Sequence, residues 1–226
     1  NKKKNPMYQR IWTMVYSFLM FILVRNAVQY ALLALLYQLA QSGASGGLVD
    51  LLILRDETGA YNGYSGDVSS IIAALGFIGG ALAVWSTAKL LITKNKEDMH
   101  LSHLKKEGKA KYALLVAVTI GAVIGFNLLF ELLGVTNKSE AYTEVAAQQY
   151  SAHFIVGILV FGFISPIAEE LLFRGVIYGY LRRFMDIKLA IALSALIFGV
   201  YHMNYVQGVY GFLIGCLMAY AYAVSY

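Results

Sequence analysis

The stretch Ser165-Pro166-Ile167-Ala168-Glu169-Glu170-Leu171-Leu172-Phe173-Arg174-Gly175 sits inside an apolar run that extends from Ala152 to Leu181. A run of that kind is long enough for a transmembrane helix, which needs roughly 20 predominantly apolar residues. Two glutamates and an arginine at such a depth each carry a large desolvation cost unless they are paired or wetted by a cavity. They must therefore face the inside of a bundle of helices rather than lipid. An apolar helix carrying buried charge implies neighbouring helices to receive that charge.

Those neighbours are legible on both sides of the stretch. Apolar segments run from Trp12 to Leu39, Val68 to Ile92, Tyr112 to Val135, Ala152 to Leu181, Leu189 to Met203 and Val206 to Tyr222. The expected fold is all-α, a polytopic transmembrane helix bundle with about six spans, consistent with the rule that helices satisfy their own backbone in a bilayer. Composition agrees: 59% of the 226 residues are hydrophobic, only 14% are charged, and the mean hydropathy is +0.62. A soluble domain carries about 25% charged residues, so a soluble enzyme, a disordered chain and a nucleic-acid module are excluded. The lone Cys216 offers no internal disulfide or zinc finger and reads as a small buried side chain.

Charge alternates between the links. Lys2, Lys3, Lys4 and Arg10 precede the first span; Lys89 to Lys111 surround the link after the second; Arg182, Arg183 and Lys188 occupy the link after the fourth. Fourteen of the 18 basic residues fall on this side, Arg55 and Lys138 on the other, and Arg25 and Arg174 inside spans. The positive-inside rule then puts the N-terminus in the cytoplasm of a multi-pass protein, and the Gly-rich, acidic link from Gln41 to Asp67 outside. The chain begins at Asn1 rather than Met and stops at Tyr226 as an apolar stretch finishes, so a start that is processed or trimmed and a truncated end are expected.

The chemistry concentrates in the fourth and fifth spans. Glu170 and Arg174 are i and i+4 with the acid first, the order that pairs best on a helix. Glu169 is rotated from Glu170 by about 100° and faces elsewhere. An ion pair that merely holds helices together explains one glutamate and the arginine, but leaves the second glutamate without a purpose. Ser165 as N-cap and Pro166 at the first position would restart the helix just before Glu169, with an ordinary proline kink as the equal alternative. In the fifth span, Phe198-Gly199-Val200-Tyr201-His202 places Phe198 and His202 on one face, with the phenyl ring as a wall for the imidazole. Glu170 precedes Asp186 by 16 residues and His202 follows it by 16, so two antiparallel helices bring the acids and the imidazole to one level. A glutamate and a histidine at one depth can activate a water molecule. Elsewhere, Arg25 in the first span is expected to pair with Glu131 in the third, with a substrate-guiding role as the alternative. His100 and His103 lie in the charged link, where solvation is the simplest reading.

The pair of motifs AEELLFRG (Ala168 to Gly175) and FGVYH (Phe198 to His202) resembles the CPBP family. That family comprises the type II CAAX prenyl endopeptidases and bacterial bacteriocin-processing or "abortive infection" membrane proteins. Its pattern is E-E-x-x-x-R, then F-x-x-x-H, then a later H-x-x-x-N or similar whose His and Asn the resemblance assigns to the oxyanion. The first two motifs are present in order; the third, absent here, either lies in a further span beyond Tyr226 or is lost together with the active site. The resemblance covers about Ala152 to Tyr222, and it divides the chain into an N-terminal two-span region, 1–111, and a CPBP-like catalytic bundle, 112–226. It implies a glutamate-dependent intramembrane endopeptidase with no cofactor, in which Glu169 and His202 activate water while Glu170, Arg174 and Phe198 shape the site. The implied substrate is a small membrane-associated peptide or protein, such as a peptide precursor or a prenylated C-terminus. A bacterial plasma membrane is the expected location. Zinc held by Glu169, Glu170 and His202 is the chemical alternative. A non-catalytic membrane scaffold that binds a sensor kinase or a bacteriocin-related partner is the functional one.

Overall fold

Because a bilayer offers peptide N–H and C=O groups no partner but the chain itself, each apolar run becomes a helix. The computed structural model describes residues 7–98, 109–136 and 139–224. In chain order they form α1 (Met7–Gln41), a short α2 (Leu48–Leu52), strands β1 (Leu54–Arg55) and β2 (Tyr61–Gly63), α3 (Gly66–Asp98), α4 (Lys109–Leu132), α5 (Glu140–Tyr150), α6 (Phe154–Leu181), α7 (Ile187–Tyr201) and α8 (Tyr205–Val224). The fold is an all-α polytopic bundle. Five helices, α1, α3, α4, α6 and α8, are long and apolar enough to cross a membrane. The other of the six expected spans, α7, has 15 residues and rises only about 22 Å, short of a hydrocarbon core of about 30 Å. It stops at Tyr201, and His202 is its C-terminal cap rather than a residue within it.

The links hold four elements that the apolar runs do not predict: α2, β1, β2 and α5. β1 and β2 pair antiparallel across a turn in which the Asp56 carboxylate accepts hydrogen bonds from the Thr58 hydroxyl, Thr58 N and Ala60 N. The Thr58 hydroxyl, followed by the backbone donors, holds that carboxyl below the ordinary aspartate range. α5 is capped by Ser139, whose hydroxyl accepts from Tyr142 N at 3.2 Å. His100 and His103, and most of the basic link that contains them, lie outside the described residues.

The core is shared by both halves of the chain. Leu172, Phe173, Val176 and Ile177 of α6 are almost completely buried against Phe21 of α1, Val84 and Ala88 of α3, Ala190 of α7 and Ala219 of α8. The division at residue 111 is thus one of sequence that the packing crosses. α4 buries none of its span, and Leu114, Leu128 and Leu132 point outward, as suits a helix sheathed by lipid. The two ends of the bundle are stitched by different residues. At one end Asn95 Nδ2 donates to Gly179 O at 3.0 Å and Arg183 Nη1 to Asn95 Oδ1 at 3.1 Å. At the other, Asp67 accepts from His153 N at 2.7 Å and pairs with its ring at 2.6 Å, while Gln148 donates to Ser69 Oγ at 3.2 Å. The end of α3 around Lys94 and Asn95 and the link around Arg183 therefore share one end, and Asp67 of the acidic link lies at the other.

α6 corrects the expected helix restart at Ser165. The rod is continuous through Pro166: Ile164, Ser165 and Leu171 all keep right-handed helical dihedrals. Proline has no N–H to give, and the helix absorbs the loss by widening. Ile158–Ile164 and Leu171–Tyr178 are π-helical, and Ser165 N donates five residues back to Val160 O. Ser165 is not an N-cap; its hydroxyl points to Glu169 Oε1 at 3.5 Å instead.

α7 and α8 form a hairpin around small residues. A Cβ on Gly199 would fall 2.5 Å from Gly208 O, and one on Gly215 would fall 3.1 Å from Ala195 Cα. Backbones meet here because nothing stands between them, a packing mode that membrane helices favour. Gly199→Val is accordingly expected to destabilise the protein by about 1–3 kcal/mol through overpacking. Gly121→Val, at a site with nothing within 4 Å, is the matched control and should leave the melting transition in detergent unchanged.

Candidate active site

Successive helical residues are rotated by about 100°, so α6 presents Glu169 and Glu170 in different directions. Glu170 faces Arg174, with Oε2 3.3 Å from Nε across the expected i, i+4 spacing. Arg174 is 1% exposed, the largest fully buried side chain in the described protein. Its Nη2 donates to Gly215 O of α8 at 3.1 Å, and its guanidinium lies 5.1 Å from the centroid of the Phe198 ring on α7. One cation thus joins α6, α7 and α8. Nη1 has no hydrogen-bond partner, so the arginine is held by charge and packing more than by a full set of bonds.

Glu169 turns away from this knot and lines a cavity of about 610 Å³. His202 lines the same cavity from the end of α7, together with Tyr201, Arg25 of α1, Asn127 of α4 and Gln148 of α5. Glu170, Arg174 and Phe198 are not among its lining residues. The two adjacent glutamates are thereby separated: one is tied to a buried cation and the other stands at an open space. Where α5 borders the cavity, burial raises the Tyr142 phenol above its ordinary range, and the nearby Tyr150 and Glu131 act in the same sense.

The imidazole of His202 is fixed on three sides. Its Nδ1 lies 2.9 Å from Phe198 O. A carbonyl only accepts, so Nδ1 carries the hydrogen and the neutral ring keeps its lone pair on Nε2. The Phe198 ring meets it edge-on with centroids 4.8 Å apart, the wall that the shared helix face predicted. Gly211 of α8 completes the enclosure, since a Cβ there would come 3.3 Å from Nδ1. Behind the ring the chain reverses through Met203, which adopts φ 57° in the left-handed region. Asn204 secures the reversal by donating to His202 O at 3.1 Å and accepting from Gln207 N at 2.8 Å at the start of α8.

Arg25 departs from the sequence reading. It does not pair with Glu131; its Nη1 donates to the Tyr201 hydroxyl, and the Phe77 ring covers its guanidinium at 4.2 Å. α4 touches the bundle along α8, while α1 packs on α3, so the first and third spans are not neighbours at this point. Cys216 is partly rather than fully buried. The zinc alternative required Glu169, Glu170 and His202 to converge as ligands. Among the described residues no three His, Cys, Asp or Glu side chains come together in that way.

The structure so far defines a class: a polytopic membrane protein whose spans enclose a polar cavity bordered by a glutamate and a histidine. The relatives narrow it further. Residues 151–226 match the family described as Type II CAAX prenyl endopeptidase Rce1-like, which bears out the resemblance carried by the two motifs. The match covers α6, α7 and α8 and about a third of the chain. No curated protein and no solved structure matches the chain.

The two glutamates differ in what their removal should do to stability. Arg174→Ala vacates the largest buried side chain and strands Glu170, so a loss of about 3–5 kcal/mol is expected. Glu169→Ala, at the edge of an open cavity, should cost less than about 1 kcal/mol, the range of changes that break no packed or paired group. Unfolding in lipid nanodiscs, followed by tryptophan fluorescence, compares the two directly.

Proposed function

We propose that the protein is an intramembrane endopeptidase in which Glu169 and His202 activate a water molecule for attack on a peptide bond. The observation that carries this reading is the parting of the two glutamates: Arg174 holds Glu170, while Glu169 shares a cavity with His202. A general base must be free to take a proton, and Glu169 is the carboxylate so placed. In the proposed step the Glu169 carboxylate takes one proton from water, and the Nε2 lone pair of His202 accepts a hydrogen bond from the other hydrogen. The water oxygen bonds to the carbonyl carbon, and the proton on Glu169 then passes to the departing amine as the C–N bond breaks. Glu170, Arg174 and Phe198 keep α6, α7 and α8 in register around the cavity. No step calls for a metal ion.

The substrate in this reading is a small membrane-associated peptide or protein, and bacteriocin processing is one role of that kind. The setting is a bacterial plasma membrane with the N-terminus in the cytoplasm. The cavity then opens toward the outer face, since Gln148 and Tyr142 belong to the end opposite the basic links. Single cysteines placed in 182–188 should accordingly be labelled only from the cytoplasm, and those in 42–65 only from outside. Labelling of the 42–65 segment from the cytoplasm would invert the orientation.

Catalysis is tested by comparing peptides released from membranes bearing the wild-type protein with those from Glu169→Ala membranes. Peptides lost from the second set define the substrate, and a synthetic peptide spanning that cleavage site then serves for kinetics. Glu169→Ala and His202→Ala are each expected to lower the rate roughly 10²–10⁴-fold with the protein still folded and inserted. EDTA should leave the wild-type rate unchanged. Activity lost to EDTA and restored by zinc would support a metalloprotease. A Glu169→Ala protein that performs its cellular role undiminished would support the scaffold reading, with a membrane partner such as a sensor kinase.

A further inference from the structure

Arg25 is the charged group of the cavity that neither motif accounts for. It stands on α1, outside the matched segment, and reaches the site because α1 and α3 touch backbone to backbone. A Cβ on Gly76 of α3 would fall 2.9 Å from Arg25 O and 2.6 Å from Gln29 Cγ, so only glycine allows this approach. The guanidinium is then gripped by two aromatic groups, the Phe77 face and the Tyr201 hydroxyl. Its Nε is buried and has no hydrogen-bond partner. The ion pairs formed among the described residues, His153–Asp67 and Glu170–Arg174, do not use it. Arg25 borders the cavity that Glu169 and His202 share, and its partner Tyr201 is the chain neighbour of His202.

An oriented cation beside a water-activating carboxylate has a definite use. Before water adds, one negative charge resides on Glu169. After addition, Glu169 holds the proton and the charge resides on the former carbonyl oxygen, whose π electron pair has become a lone pair. A fixed cation facing the cavity that holds both positions compensates the charge before and after the transfer without reorganising, the kind of preorganised electrostatics that lowers a barrier most. We propose that Arg25 is a catalytic residue of this site, its guanidinium stabilising the tetrahedral oxyanion formed at the scissile carbonyl, with Tyr201 and Phe77 as the residues that position it. This rests on the peptidase reading. It adds a residue from α1 to a site otherwise built from α6 and α7.

The test uses the full-length protein in nanodiscs and the synthetic peptide defined by Glu169-dependent cleavage. Arg25→Gln is expected to lower kcat about 10²–10³-fold, the usual loss on removing an oxyanion donor, with KM within about threefold of wild type. Arg25→Lys keeps the charge and should recover at least about tenfold of that loss in kcat, because the electrostatic contribution survives without the planar donor geometry. A purely structural role would not produce that split between kcat and KM or that rescue. Retention of kcat within about threefold in Arg25→Gln, or a loss carried by KM alone, overturns the proposal. Should Arg25→Gln fail to fold, Tyr201→Phe decides: it keeps the ring packing and removes only the hydroxyl that aims Nη1. A fall in kcat at constant KM then supports the assignment, and an unchanged kcat overturns it. A wild-type protein that cuts no such peptide sinks the peptidase reading itself, and that failure is visible before any Arg25 variant is made.

Discussion

A guanidinium cannot be dissolved in the interior of a membrane bundle without company, and Arg174 is 1% exposed there. Every neighbour it has is explained by that constraint. Glu170 supplies the counter-charge from one turn away, Phe198 offers its ring face from α7, and Gly215 O on α8 accepts a hydrogen bond from Nη2. The three helices of the matched segment are therefore tied at one point. The Phe198 ring then passes the constraint on, since it also meets the His202 imidazole and its own carbonyl bonds to Nδ1. What begins as the cost of burying a charge ends as the orientation of a histidine beside a cavity. Glu169 is left out of this network and is the carboxylate that stays at the cavity wall.

Much of this was legible because helical spacing is rigid. The i, i+4 relation of Glu170 and Arg174, the different direction of Glu169 and the contact of Phe198 with His202 all follow from rotation per residue, and the structure shows each of them. The apolar runs likewise gave the helices to within a few residues, since a run of this length has no other stable form in lipid. What spacing within a helix does not encode is which helices are neighbours. The expected pairing of Arg25 with Glu131 needs the first and third spans to meet, whereas the actual partner, Tyr201, is set by the packing of α1 on α3. The glycines that bring those helices together, and those that close α7 onto α8, were visible as residues but carried no periodic signal to distinguish them from lipid-facing glycines such as Gly121.

Proline gave the other misreading. A missing N–H and a preceding serine point to a helix start, yet α6 runs through Pro166 by shifting to five-residue hydrogen bonds on either side of the Ser165–Glu170 turn. π-helical turns of this sort recur at functional sites, because widening a helix turns side chains that would otherwise align. Ser165 and Glu169 lie four residues apart in the α-helical turn between the two π segments, so the serine expected to cap a helix reaches Glu169 and borders the cavity instead. His202, read as a residue within a span, is in fact at the end of a short helix, where the chain reverses through Met203 and Asn204. A histidine at such an end can face a cavity that α5 borders from the other side.

The central claim is that Glu169 and His202 work as one unit on one water molecule. A double-mutant cycle on cleavage of the substrate peptide, using Glu169→Ala, His202→Ala and the double variant, measures this directly. Residues that act as a unit are strongly non-additive, so the double variant should be no slower than the worse single variant by more than about threefold. A double variant whose loss equals the product of the two single losses would show that the residues act independently, and would contradict the account of a shared site.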